Sequence, residues 1–213
     1  MGISRRSRIS LKVTEARFVT SAVDADGVPR DGIPHVALVG RSNVGKSTLL
    51  NALTRAQVAR TSAAPGKTRL ANLYKVAVEG GPGGPGQWSL YFADLPGYGY
   101  ARGGRESVVE LSRIADAYFA GDHAIAGVLH LVDARHPGLE ADLEAAKWLQ
   151  SLGQGGLERA VLATKIDKLS RSERVKNLRE LERQLGMAAL PISATRGEGL
   201  DDLWTLIARL SRR

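Results

Sequence analysis

No cysteine occurs among the 213 residues. Disulfides, thiolate zinc sites, iron–sulfur clusters and cysteine nucleophiles are excluded together, and the absence fits a reducing compartment such as the cytoplasm. Long hydrophobic runs are missing as well. The longest apolar stretch, Ala124 to Val132, falls far short of the roughly 20 residues that span a bilayer. The arginines between Met1 and Ser10 have no apolar stretch behind them, so a secretory leader is not expected. Gly2 has Arg6 where a myristoylation signal needs Ser or Thr, and Arg209 to Arg213 lacks a prenylation cysteine, so no lipid anchor is expected. A chain of this length has room for one ordinary domain of roughly 100–200 residues and none for a second catalytic one.

Acidic residues are in deficit: 22 Asp plus Glu face 30 Lys plus Arg, a net charge of +8. Such a surplus favours a polyanionic partner, nucleic acid ahead of an anionic membrane surface. The excess of Arg over Lys, 22 against 8, is equally what an arginine-rich genome composition would give. Core-forming material is present in ordinary amounts, with 43% apolar and 24% charged residues, which predicts a folded domain rather than a disordered chain.

Hydrophobic periodicity orders the chain. Residues 1–32 read as a basic extension with a short strand over Ala16–Val23 and a Gly/Pro-bearing loop over Asp24–Gly32, and residues 33–213 as a single domain. Within the latter, strands are expected at Ile33–Val39, Asn72–Val78, Trp88–Ala93, Gly127–Val132, Ala160–Ala163 and Ala189–Ile192. The second and third of these form an antiparallel hairpin around a Gly/Pro-rich tip, Glu79 to Gln87. Helices are expected at Thr48–Gln57, Glu106–Phe119, Leu139–Leu152, Glu173–Leu185 and Leu200–Leu210. The alternation predicts an α/β fold: a mostly parallel six-stranded sheet with one antiparallel strand and helices on both faces.

Gly40-Arg41-Ser42-Asn43-Val44-Gly45-Lys46-Ser47 follows a buried strand and opens a helix, which is the setting a P-loop requires. Its glycines let backbone N–H groups curl around phosphate oxygens at a helix N-terminus; Lys46 would reach the β and γ phosphates and Ser47 would ligate magnesium. Three further turns follow expected strands. Asp94-Leu95-Pro96-Gly97 would bring a carboxylate to the magnesium shell and a glycine amide to the γ phosphate. Thr164-Lys165-Ile166-Asp167 offers a carboxylate that can accept from the ring N–H and exocyclic amine of guanine, a pairing adenine cannot return. Ser193-Ala194-Thr195 would present a backbone N–H to the guanine carbonyl. Loops at the C-terminal ends of strands in one parallel sheet converge on a single crevice.

Together these stretches resemble a translation-factor-class GTPase domain, a Ras-like P-loop NTPase fold. The connecting residues narrow the resemblance to the EngB family: Gly40 to Asn51, Thr61-Ser62 with Pro65 to Arg69, Asp94 to Ala101, Val132 to Pro137 and Gly197 to Leu200, with Thr164 where related domains more often carry Asn. The resemblance implies a magnesium-dependent GTP/GDP switch assisting assembly of the large ribosomal subunit on its rRNA in bacteria or organelles, linked to cell division and septation; a cytoplasmic location and a monomeric state are the accompanying expectations. It further implies that Gly66, Lys67, Thr68, Arg69 and Leu70 join the nucleotide site. Thr68 would contact both magnesium and the γ phosphate, with Thr61 its rival, and Lys46, Thr68 and Gly97 would serve hydrolysis. Tyr98 stands where related GTPases often carry a water-orienting glutamine, so hydrolysis by the isolated protein is expected to be slow. Asn43 resembles the P-loop asparagine of potassium-stimulated GTPases, or it simply bonds the neighbouring loop. Arg135 and His136 read equally as helix-start and surface residues. A P-loop small-molecule kinase would leave the Thr164 and Ser193 turns unexplained, and a nucleotide-dependent binding module that scarcely hydrolyses remains a third reading.

Overall fold

The computed structural model describes residues 11–59, 70–81, 86–98, 113–152 and 156–211. Its strands are β1 (Leu11–Ala22), β2 (His35–Gly40), β3 (Ala71–Gly80), β4 (Gln87–Asp94), β5 (Ile125–Asp133), β6 (Arg159–Thr164) and β7 (Ala189–Pro191). Its helices are α1 (Lys46–Thr54), α2 (residues 113–120), α3 (Glu140–Leu152), α4 (Arg171–Leu185) and α5 (Leu200–Leu210).

The strands form one sheet in the order β1-β3-β4-β2-β5-β6-β7. β2 lies parallel to β4 and β5, β6 lies parallel to β5 and β7, and β3 runs antiparallel to both of its neighbours. The sheet therefore has the single reversed strand expected and one strand more than the six expected. The addition is β1, which pairs with β3 from Leu11↔Gly80 to Ala22↔Ala71 through two register shifts. Its alternating residues are largely half-buried or exposed, with Lys12, Glu15 and Arg17 along it. Such charges are usual on an edge strand, where they discourage further pairing; the strand expected at Ala16–Val23 is the second half of β1, and the charged pattern hides residues 11–15 from an apolar-run search.

Every residue of β2 is buried. Successive side chains of a strand point to opposite faces, and here Val36 and Leu38 join Leu49, Leu50 and Leu53 of α1 and Leu203 and Ile207 of α5. Ala37 and Val39 face the other way, toward Ile114 and Tyr118 of α2 and Leu149 of α3. Leu181 of α4 covers Val132, Val161 and Ala163 on that second face. Two apolar layers thus clamp the central strand and fix where the loop after Gly40 emerges.

Helix ends distinguish support from site. Helix α4 starts with a complete capping box, Ser170 and Glu173, and stops at Gly186 in the left-handed conformation. Helix α1 has no side-chain cap and no acid in its first turn, which leaves its N-terminal amides available. It begins at Lys46, two residues earlier than expected, and ends at Thr54, with Arg55 left-handed at φ 52°. The early start sets Lys46 and Ser47 in the first helical turn. The early end follows from Asn51, whose side chain donates to Gln57 Oε1 at 3.1 Å and to the Ala59 carbonyl at 2.8 Å and accepts from the Ala59 amide at 2.8 Å. The chain folds back rather than extending the helix.

Candidate functional site

Four loops leave the C-terminal ends of β2, β4, β6 and β7 and meet. The first is the Gly40–Lys46 turn, where Asn43 (φ 62°) and Gly45 (φ 113°) take left-handed backbone. Gly40 has to be a glycine, because a β-carbon there would lie 2.8 Å from the Leu131 carbonyl oxygen. Val44 is buried and anchors the turn from below. Lys46 is only 8% exposed, and its amine donates to the carbonyls of Gly40 at 3.1 Å and Arg41 at 3.5 Å. Burial lowers its pKa, opposed by the Asp94 carboxylate.

Asp94, at the end of β4, meets this turn. Its Oδ2 accepts from Ser47 Oγ at 3.0 Å, while the equally buried Oδ1 has no hydrogen-bond partner among the described residues. Burial pushes the Asp94 carboxyl up, and Lys46 and Ser47 pull it back. A hydroxyl and a carboxylate form the oxygen-only donor set that a hard divalent cation prefers, and the orphaned oxygen supplies the unmet demand such an ion would satisfy. No group of three or more His, Asp or Glu side chains among the described residues could hold a metal, so a cation here would draw its other ligands from a bound anion or water. Leu95 and Pro96 are buried behind Asp94, with the Leu95 amide donating to the Leu38 carbonyl at 3.2 Å. Gly97 then passes so close to the phosphate loop that a β-carbon on it would lie 2.7 Å from Ser42 N and 3.0 Å from Lys46 Nζ.

The loops after β6 and β7 build the neighbouring compartment. Thr164 Oγ1 donates to the carbonyls of Val44 at 2.9 Å and Val132 at 3.1 Å, tying β6 to the phosphate loop and to β5. Lys165 (φ 59°) reaches back with its amine to the Asn43 carbonyl at 2.7 Å and to Asp133 Oδ2 at 3.0 Å. Ile166 is buried, and Asp167 Oδ1 accepts from Ser193 Oγ at 2.8 Å. Burial works against the Asp167 charge; the Ser193 hydroxyl, its own backbone N–H and Lys168 outweigh it and hold the pKa below the usual carboxylate range. Between the phosphate loop, Lys165, Ala194 and Thr195 lies a cavity of about 200 Å³ with Asp167 in its wall. A cavity of about 240 Å³ between α3 and α4 contains none of the expected residues, so chemistry rather than size singles out the first.

The structure therefore gathers the Gly40–Ser47, Asp94–Gly97, Thr164–Asp167 and Ser193–Thr195 residues at one edge of the sheet. Leu70 is half-buried just before β3. Gly66, Lys67, Thr68 and Arg69, together with Thr61, lie outside the described residues. Tyr98 departs from its expected setting. Its ring turns inward, where the hydroxyl donates to Asp142 Oδ1 at 2.8 Å and lies 2.7 Å from His130 Nε2. The position therefore lacks a glutamine, and its hydroxyl is engaged by Asp142 and His130.

Three participants escaped the sequence reading. Asp133, 3% exposed, accepts from Arg135 Nε and Nη2 at 2.9 and 2.8 Å while holding Lys165. Despite burial, these cations keep its carboxyl well below the usual range, and Arg135 is occupied with Asp133. Asp142 reads in sequence as an ordinary acid in a first helical turn. His130 does carry a signal, as the one polar residue inside the apolar run of β5.

Comparison with known proteins agrees with this geometry. Residues 35–165 match the family model described as a 50S ribosome-binding GTPase. A protein named "Probable GTP-binding protein EngB" from Anaeromyxobacter sp. (strain K) is 40% identical over 94% of this chain and 93% of its own. Among solved structures, Era in complex with MgGDPNP and a segment of 16S ribosomal RNA has a TM-score of 0.66 at 26% identity, covering 84% of this chain and 57% of that one. The crystal structure of a probable GTP-binding protein engB has a TM-score of 0.58 at 21% identity, covering 84% and 98%, and likewise shows the fold. With the family model spanning more than half of the chain and a curated relative at this identity nearly end to end, the chain belongs to the EngB family of GTP-binding proteins.

Proposed function

We propose that this GTPase is a magnesium-dependent switch that works in the cytoplasm as a monomer and assists assembly of the large ribosomal subunit, with the link to cell division that the family resemblance implies. The observation that carries the reading is the Ser47–Asp94 pair: it lies next to a buried Lys46 and leaves Asp94 Oδ1 unbonded in a buried setting. Magnesium, held by Ser47 and Asp94, would neutralise phosphate charge. Lys46 and the α1 amides would bind the β and γ phosphates, Gly97 would offer its amide to the γ phosphate, and Thr68 would join them in the triphosphate state. Asp167 would read the guanine edge from the wall of the neighbouring cavity, with Lys165 along the base and the Ser193–Thr195 turn at its carbonyl. The basic surplus and the ribosome-binding description of the family model support a pre-ribosomal partner.

Nucleotide titration tests the reading. GTP and GDP should bind far more tightly than ATP and ADP, and chelation of magnesium should weaken GTP binding. Asp167→Asn should weaken GDP on the order of 10²-fold, since two hydrogen bonds to a charged acceptor are lost, and should improve xanthosine diphosphate, whose extra carbonyl the amide can meet. Comparable ATP and GTP affinities would remove the guanine assignment. Release of phosphate from GTP, measured with and without large ribosomal subunits, separates a switch from a binding module that scarcely hydrolyses.

A further inference from the structure

The roles given above leave unused the polar groups around Tyr98. Arg41 of the phosphate loop donates through Nε to both oxygens of Asp142, at 3.1 and 3.2 Å. Asp142, 1% exposed in the first turn of α3, also accepts from the Tyr98 hydroxyl at 2.8 Å. That hydroxyl has one proton and gives it to the carboxylate, so the neutral His130 ring, 2.7 Å away, donates to it from Nε2. The main chain closes the circuit. Ser42 N donates to the Tyr98 carbonyl at 3.1 Å, Ser42 Oγ donates to the Gly97 carbonyl at 3.3 Å, and Arg41 and Tyr98 form a parallel bridge. A ring of contacts thus runs from Arg41 through Asp142 and the Tyr98 side chain, along the Tyr98 backbone and back to the phosphate loop.

Gly97 sits inside this ring, wedged against Ser42 and the Lys46 amine. The backbone leaves Gly97 in the direction that the anchored Tyr98 ring dictates, and a preorganised amide loses most of its value when it is displaced from its target. We infer that the Arg41–Asp142–Tyr98 ring holds Gly97 at the distance a γ phosphate requires, making Tyr98 and Asp142 positioning residues that set the preference for triphosphate over diphosphate. The inference rests on reading Gly97 as the γ-phosphate contact. Tyr98 itself points into the protein, so its effect passes through Gly97. A diphosphate makes no use of that amide and is insensitive to its placement.

The test uses the full chain carrying Tyr98→Phe, Asp142→Ala, or both. Affinities for GDP and for a non-hydrolysable GTP analogue are titrated beside kcat and KM for GTP and the Tm. Each single variant should bind the analogue about fivefold more weakly, the range expected when the single hydrogen bond from the Gly97 amide to the γ phosphate is lost, while GDP stays within about twofold, and kcat should fall with it. The double variant should lose no more analogue affinity than Asp142→Ala, because the groups act as a unit. Should Asp142→Ala fail to fold, Tyr98→Phe, which keeps the aromatic side chain and removes only its hydroxyl, decides the matter. Equal weakening of both nucleotides, or a lower Tm at an unchanged ratio, overturns the inference. A wild type that does not prefer guanine to adenine nucleotides instead removes the reading beneath it.

Discussion

A β-carbon on Gly97 would approach the Ser42 backbone nitrogen to 2.7 Å, a distance real β-carbons essentially never show. Neither neighbour can retreat cheaply, since Ser42 N is held by the Tyr98 carbonyl and Lys46 by two carbonyls of its own loop. Gly97→Ala should therefore push the two loops apart locally. GDP binding should survive, while binding of a GTP analogue and turnover should drop about tenfold or more, as for removal of one preorganised donor; parallel titrations and a phosphate-release assay check both. If the Ala variant hydrolyses GTP at the wild-type rate, the tight passage has no bearing on catalysis. The sequence made Gly97 legible because Asp94-Leu-Pro-Gly97 follows an expected strand at a useful distance from Lys46. Asp142 and Asp133 were illegible for the opposite reason. Tyr98 and Arg41 for Asp142, and Lys165 for Asp133 beyond its local partner Arg135, sit on other elements, and a single acid on a helix or strand end reveals nothing about what folds against it.

At the scale of elements, Thr164 takes the place of an asparagine by fastening β6 to the phosphate loop and to β5 with one hydroxyl. Thr164→Val keeps the shape and deletes both bonds, so urea denaturation should show a loss of about 1–2 kcal/mol together with weaker GDP binding. Thr164→Asn, whose amide can donate to the same carbonyls, should recover most of both. A stability unchanged in the Val variant would mean that the two carbonyls find other donors. His130 on β5 adds a pH signature. Burial first, then Arg159, pushes its pKa down to about 4, against about 6.5 in an unfolded chain. Between those values the unfolded chain takes up a proton that the folded one refuses, so stability falls as pH drops through about 6.5 toward 4, by up to about 1.4 kcal/mol per pH unit. His130→Gln should flatten that slope when denaturation is compared at pH 7.5, 6 and 5, and an unaltered slope would assign the acid sensitivity elsewhere, His35 being the other buried candidate. Element identity was largely readable from periodicity, most securely for α5 and the apolar strands. Boundaries were not: α1 starts and ends early because the Asn51 bonds and the phosphate turn outrank helix propensity, and β1 is longer than expected because edge pairing with β3 tolerates a charged pattern.

For the molecule as a whole, the question is what completes the hydrolytic site. Tyr98 is bound inward, and Arg41 of the phosphate loop and Arg135 after β5 are already paired with Asp142 and Asp133. Among the described residues, Lys46 is then the cation left to meet charge developing on the transferred phosphoryl group, and in other GTPases an arginine finger or a monovalent ion adds to that charge. The isolated protein should accordingly turn over slowly. Asn43 is exposed at the lip of the phosphate loop, where its side chain could help to hold potassium. Exchanging sodium for potassium at constant ionic strength should raise turnover in the wild type and do little in Asn43→Ala; equal rates in the two salts would leave the partner as the source. The net charge of +8 fits a polyanionic partner such as the rRNA proposed above. Neutralising rRNA phosphates releases counterions, so co-sedimentation with large ribosomal subunits should weaken steeply between about 50 and 200 mM salt, and it should be stronger with a GTP analogue than with GDP. Added subunits should raise turnover in the same salt range in which they bind. Binding indifferent to both salt and nucleotide would contradict the assembly switch even if GTP were hydrolysed, because an enzyme whose two nucleotide states meet the particle equally cannot use hydrolysis to leave it.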